Sequence, residues 1–391
     1  MENLKKPTYR RTLGSLRVPA LVLLTAALSA HGALAQQTIT GSAGGALYEF
    51  LVPLPWNGQL VVYAHGYTDP AAPVAIPNSP PEQQIYQALT SQGFAVAITS
   101  YSQNGWAVKE GAQDTSQLRD LFAANVGKPS RTYLIGVSMG GLITLDLVEH
   151  PPAKYDGALA VCGVVGGPRV QFQHNGDGRV VFDYFFPGVL PGNLLNSPKL
   201  DYSPGSPTFN LVFGALAAGL GSPGQPTLQY ASVLGLTGST IPEILYSGAT
   251  LAVTNFNELL TRTHGHNFYD NTRTVYTGSL NDAALNANVQ RFSSEPDAVN
   301  YLTKYYTPTG ALGIPLVTLH TTKDPTVPFS EESLYAAVVA HAGASNLLVQ
   351  QSVTRYGHCN VKPGELLNSF GGLLGWVNYG IKPAGGDVTI P

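Results

Sequence analysis

The stretch that most constrains this chain is Arg131-Thr132-Tyr133-Leu134-Ile135-Gly136-Val137-Ser138-Met139-Gly140-Gly141. A β-branched, apolar run precedes Ser138 and a helical pattern over 142–149 follows it, so the serine stands where a strand becomes a helix. That context gives the pentapeptide G-x-S-x-G its meaning. A turn this sharp forces the serine into a strained backbone conformation, and glycines two residues to either side leave room for strand and helix to cross. The hydroxyl then stands clear at the strand end. The new helix aims free backbone N–H groups at the same place, where they favour the negative charge formed when an acyl carbon is attacked. In a chain with 43 glycines the pentapeptide alone is weak, and its flanks separate it from a serine that merely caps a helix.

A serine hydroxyl is a poor nucleophile without a base in hydrogen-bond reach, and the base is best held in one tautomer by a carboxylate. Two loops supply these groups. His320-Thr321-Thr322-Lys323-Asp324-Pro325 follows an expected strand over 314–319, and Tyr356-Gly357-His358-Cys359 follows one over 347–354. The order Ser138, Asp324, His358 is the Ser, acid, His order of one known scaffold. A parallel sheet would bring all three to its carboxyl edge. His320 shares its loop with Asp324 and reads as a structural or supporting residue, Glu331 and Glu332 as helix-start carboxylates, and Asp69 as a turn residue. His65-Gly66-Tyr67 ends another strand; its Tyr67 N–H and the Met139 N–H are the candidate oxyanion hole, with the His65 imidazole structural.

Strands expected over 46–52, 59–64, 94–101, 132–137 and 157–161 alternate with helices over 82–91 and 115–125, and the rhythm resumes from 314 with helices over 331–342 and 365–379. This is the pattern of a mostly parallel sheet with helices on both faces, led at its edge by 46–52 and 59–64. Between the halves it breaks for about 145 residues, far beyond the usual link of about four to six. Apolar helical patterns at 210–220, 227–236, 243–260 and 283–291 make this insertion a mostly helical cap. Trp106 and the tyrosines at 301, 305 and 306 are the aromatics that could face a substrate. His264-Gly265-His266 and Asn175-Gly176-Asp177-Gly178 lack a fuller ligand set at metal spacing and are expected to be turns, with no metal bound.

Residues 1–35 are expected to be a secretory signal peptide: Lys5, Lys6, Arg10, Arg11 and Arg17 precede a short apolar run that ends in Ala33-Leu34-Ala35. The run is shorter than the roughly 20 residues that span a bilayer, so no stable membrane insertion is expected after cleavage. The leader holds five of the 21 Lys and Arg and one of the 24 Asp and Glu, leaving 16 against 23 and a formal charge of −7. That balance argues against nucleic acid as a partner. In an oxidising compartment the two cysteines, Cys162 and Cys359, are expected to form a disulfide, two buried thiols being the alternative. The bond would pin the His358 loop beside the serine.

Taken together, these residues resemble the α/β-hydrolases over essentially the whole mature chain. His65-Gly66-Tyr67 is similar to that family's oxyanion loop, residues 136–140 to its nucleophile elbow, Asp324 to its acid and His358 to its base. Asp324-Pro325-Thr326-Val327-Pro328 is similar to the acid loop of prolyl-oligopeptidase-like hydrolases and many esterases. Trp56-Asn57-Gly58 and the His358-Cys359 pair resemble tannases and feruloyl esterases, in which a cysteine precedes the nucleophile where this chain has Val137. The resemblance implies a catalytic core over 36–163 and 309–391 and a cap over 164–308. It also implies an exported, periplasmic or extracellular serine hydrolase that needs no cofactor and takes a small or oligomeric carboxylic ester, aromatic-acid esters included, through an acyl-enzyme. A peptidase of the prolyl-oligopeptidase type and a binding protein without turnover are the alternatives.

Overall fold

The computed structural model describes residues 35–150, 154–198, 201, 203–254 and 256–390. The leader expected at 1–35 lies outside them, apart from Ala35, whose backbone opens the first strand. β1 (Ala35–Ala43) and β2 (Ala46–Leu54) form an antiparallel hairpin turned by Gly44 and Gly45, both at positive φ. There follow β3 (Gln59–Ala64), α1 (Pro80–Thr90), β4 (Ala95–Thr99), α2 (Val108–Asn125), β5 (Arg131–Val137), α3 (Met139–Glu149) and β6 (Gly157–Val161).

The insertion holds α4 (Pro168–Phe185), α5 (Pro207–Gly221), α6 (Pro226–Leu234), α7 (Ile241–Ala252), α8 (Phe256–Arg262), α9 (Asp282–Asn288) and α10 (Pro296–Lys304). The chain then returns through β7 (Leu316–Lys323), α11 (Ser330–His341), β8 (Leu348–Tyr356), α12 (Pro363–Tyr379) and β9 (Gly386–Asp387).

One nine-stranded sheet results, in the order β1-β2-β4-β3-β5-β6-β7-β8-β9. It is parallel from β4 onward, with β1 and β2 antiparallel at one end. The period of two along β3 shows how both faces are filled. Val61 and Tyr63 join a core with Tyr86 and Leu89 of α1 and Phe370 of α12, while Leu60 and Val62 join the opposite one with Phe122 of α2 and Leu142 of α3. A strand apolar on both faces belongs inside a sheet. So neither stretch expected at the edge lies there: β3 is between β4 and β5, β2 is between β1 and β4, and the edge goes to β1, where Gln36, Gln37, Thr38 and Thr40 are exposed.

Two expectations for the insertion also need correction. Asn175-Gly176-Asp177-Gly178 is no turn but the middle of α4. Its glycines are contact surfaces: a Cβ on Gly176 would meet the Tyr269 ring at 2.3 Å, and one on Gly178 would meet Leu251 at 2.1 Å. Close packing of neighbours thus outweighs the poor helix propensity of glycine, about 1 kcal/mol per residue. The single helix expected over 243–260 is two, α7 and α8.

Buried Glu149 ends the helix that follows Ser138. Its carboxylate accepts from the hydroxyls of Tyr306 (2.6 Å) and Tyr335 (2.7 Å) and the N–H groups of Thr309 (2.6 Å) and Gly310 (3.0 Å). The segment that returns from the insertion is thereby tied to α3. Among the described residues no helix is long and apolar enough to cross a membrane.

Candidate active site

Parallel register sets the strand ends side by side: Ala64 pairs with Gly136, Val137 with Val161, and Lys323 with Tyr356. β5 and β6 end together, whereas β7 runs on past β6, Val161 pairing with Leu319, and the residues just after these three strands gather at one edge of the sheet. These are Ser138, Cys162 and Asp324, with His358 two residues beyond β8. Ser138 has φ 58° and ψ −123°, the strained elbow its flanks imply. The elbow is possible only because side chains are missing. A Cβ on Gly136 would lie 2.0 Å from the Gly140 carbonyl oxygen, and one on Gly140 would lie 2.0 Å from that of Ala64.

The three residues form one hydrogen-bonded chain. The Ser138 hydroxyl is 2.8 Å from His358 Nε2, and His358 Nδ1–H donates to Asp324 Oδ2 at 2.8 Å. Asp324 is fixed from its other oxygen: Oδ1 accepts the N–H groups of Thr326 (2.8 Å) and Val327 (3.0 Å). The two loops are stitched as well, since Gly357 N–H donates to Lys323 O and the Thr321 hydroxyl to Gly357 O. Burial pushes the Asp324 carboxyl up, but the charge of His358 and hydrogen bonds from His320 and His358 outweigh it and hold it far below the carboxylate range.

His320, fully buried, sits behind this chain. Its Nε2 is 3.5 Å from Asp324 Oδ2 and its Nδ1 is 3.0 Å from Glu332 Oε1. Burial favours the neutral ring, yet the bonds to Asp324 and Glu332 prevail and push it up to about 10. The i, i+4 spacing of His320 and Asp324 was visible in sequence; that Glu332 closes the other side was not.

Gly66 approaches Ser138 closely, a Cβ there falling 3.2 Å from Ser138 Cβ. Tyr67 follows it. Met139 is the first residue of α3, so its N–H has no acceptor within the helix. His65 stacks on Tyr101 at 3.7 Å between ring centroids, and burial lowers its imidazole to about 4, keeping it neutral. Asp69 makes a turn, accepting the Ala71 N–H. Beyond α8, His264 has φ 58° in a turn, and His266 bonds Glu295 at 2.6 Å.

A cavity of about 710 Å³ opens over Ser138 and Met139, walled by Tyr67 and Trp106 from the sheet's loops and by Phe172 and Glu258 from the insertion. Trp106 meets Phe172 edge to face at 4.9 Å. Glu258 accepts the Trp106 N–H (3.0 Å) and pairs with Arg262, which also reaches Glu110 (3.0 Å) and Asn104 O (2.7 Å). Neither Phe172 nor this clamp was visible in sequence, because each depends on residues more than sixty positions apart meeting.

Cys162 and Cys359 form a disulfide with 5.3 Å between Cα atoms, linking positions 197 residues apart. Replacing both by serine is expected to lower the unfolding free energy by about 3–5 kcal/mol, mainly by freeing the unfolded chain. A urea titration reads this directly, and an unchanged midpoint would mean that the bond constrains nothing.

No family model matches this chain, and no curated protein matches it in sequence. Solved structures are similar in fold. Feruloyl esterase B from Aspergillus oryzae is 12% identical, with 90% of this chain and 82% of that one covered at a TM-score of 0.54. An esterase from Pyrococcus furiosus is 13% identical, covering 87% of this chain and 90% of its own at 0.45. An acylaminoacyl peptidase from Pyrococcus horikoshii is 8% identical, covering 84% of this chain and 38% of its own at 0.42.

Proposed function

We propose that this chain, which has the α/β-hydrolase fold, is an exported serine hydrolase that cleaves carboxylic esters through an acyl-enzyme. The observation that carries the reading is the chain of two 2.8 Å hydrogen bonds from Ser138 through His358 to Asp324, opening on the cavity. In this reading Ser138 Oγ attacks the ester carbonyl while His358 Nε2 takes its proton. The imidazolium so formed is stabilised by Asp324, and the oxyanion by the N–H groups of Tyr67 and Met139. His358 then protonates the leaving alcohol, and water repeats the sequence to release the acid. The insertion, 164–308, serves as a cap that shapes the cleft. The disulfide and the leader-like residues 1–35 support export.

Ester cleavage is favoured over an exopeptidase because a free amino-terminus needs a carboxylate to hold it. Glu258, the half-buried carboxylate of the insertion at the cavity, already has both oxygens engaged by Arg262 and the Trp106 backbone N–H, and the other two carboxylates lining it, Asp69 and Asp201, are exposed to water. A fluorophosphonate probe is expected to label Ser138, and nitrophenyl esters of graded acyl length to turn over faster than aminoacyl anilides. Folded protein that takes no label would instead support a binding protein, and faster anilide cleavage a peptidase.

A further inference from the structure

We propose that His320 is a positioning residue held as an imidazolium between Asp324 and Glu332, where it shares the Asp324 carboxylate with His358 and limits how firmly a protonated His358 is held. The inference rests on the triad reading above.

The geometry requires two protons on the ring. At Nε2 the neighbours are Val327 O (3.2 Å) and Asp324 Oδ2 (3.5 Å), and at Nδ1 it is Glu332 Oε1 (3.0 Å). All are acceptors when the carboxyls are ionised, and a neutral imidazole would turn a lone pair on one of them at a ring that is fully buried. Glu332 is itself set up as an acceptor, since its Oε2 takes the Thr318 hydroxyl and the Gln350 amide, each at 2.6 Å. The ring is locked laterally by Phe329, edge on at 5.8 Å.

His320 lies within β7 and not on the loop expected from sequence, so the titratable groups facing it are Asp324 just past the end of that strand, Glu331 and Glu332 on α11 and, beyond Asp324, His358 after β8. Glu331 is fully buried; burial pushes it up to about 8, despite the Gly166 N–H bonded to it, so near neutral pH it is largely uncharged. The carboxyls of Asp324 and Glu332 are then the two groups placed against the ring nitrogens.

The sign follows from Coulomb's law. A positive ring beside Asp324 keeps that carboxylate ionised, which favours the correct tautomer of His358. The same charge opposes a second positive charge on His358, so the base stays free to accept a proton at lower pH. Removing the cation leaves Asp324 wholly to His358, and protonated His358 becomes more stable.

The test takes the purified exported chain, its disulfide intact. His320→Gln, which keeps a donor but loses the charge, is expected to move the acid limb of kcat/KM for a nitrophenyl ester to higher pH by ~1 unit. An acid limb that stays in place in the folded variant overturns the proposal. Independently of turnover, nitrogen NMR of the histidine rings, with His320→Gln to assign the signal, is expected to show both His320 nitrogens protonated from acid to beyond pH ~8. A neutral ring in that window overturns it as well. Should His320→Gln not fold, Glu332→Gln is expected to make His320 lose its second proton at lower pH, and an unchanged titration would count against the proposal. Fluorophosphonate labelling of the unaltered chain reports on the triad reading by itself. A failed label with a protonated His320 therefore rejects the function and not the charge state.

Discussion

Ser138→Ala is expected to abolish ester turnover, with a loss on the order of 10⁶ in kcat, the size seen when a nucleophile is removed from a comparable triad. The fold is expected to survive unchanged. Among the described residues the Ser138 hydroxyl bonds only His358, whereas its backbone N–H is what ties the elbow to Val161 O at 2.9 Å. Alanine keeps that bond and meets the same positive φ with the same Cβ, so no new strain is added. Measured side by side, kcat/KM for a nitrophenyl ester and the urea midpoint separate the two outcomes. Turnover within tenfold of the unaltered chain would reject Ser138 as the nucleophile, and a collapsed midpoint would leave the loss of activity explained by unfolding.

Asp324→Asn is expected to cost roughly 10⁴ in kcat, as the same change does in the template triad. The surroundings of Asp324 dictate which way the amide turns. Oδ1 accepts two backbone N–H groups, so the asparagine carbonyl must stay there and its NH₂ must take the place of Oδ2. That NH₂ then points a donor at His358 Nδ1 and draws out the tautomer with its proton on Nε2, facing Ser138. A protonated Nε2 cannot accept the serine proton. The same NH₂ meets the proton on His320 Nε2, so the substitution also sets donor against donor in a buried place. Steady-state kinetics with the same ester reads the loss. A rate within tenfold of the unaltered chain would show that the carboxylate does not set the tautomer.

Much of the arrangement was legible along the chain. The strand and helix flanking Ser138, the strand before Asp324 and the strand before His358 are each announced by period and by turn residues, and all three strands are present as β5, β7 and β8. The two cysteines were placed by their positions at strand ends, and their bond lies beside His358. Other features left no local trace. Gln36 to Thr40 is too polar to announce β1, which exists because β2 offers it an open edge. Glycines at 176 and 178 spell a turn until Tyr269 and Leu251 arrive to pack on them. The partners of His320 come from the loop after its strand and from the helix beyond that loop.

The division has one physical cause. Steric demands at a strained elbow, the alternation of apolar residues and the punctuation by glycine and proline act over a few neighbouring residues, so the chain alone prescribed its parallel layers and the edge where its chemistry gathers. Charge states, cavity walls and the helices of the insertion arise from groups brought together over tens to hundreds of residues. Burial and contact geometry set these, and both come into being only when the chain has closed on itself.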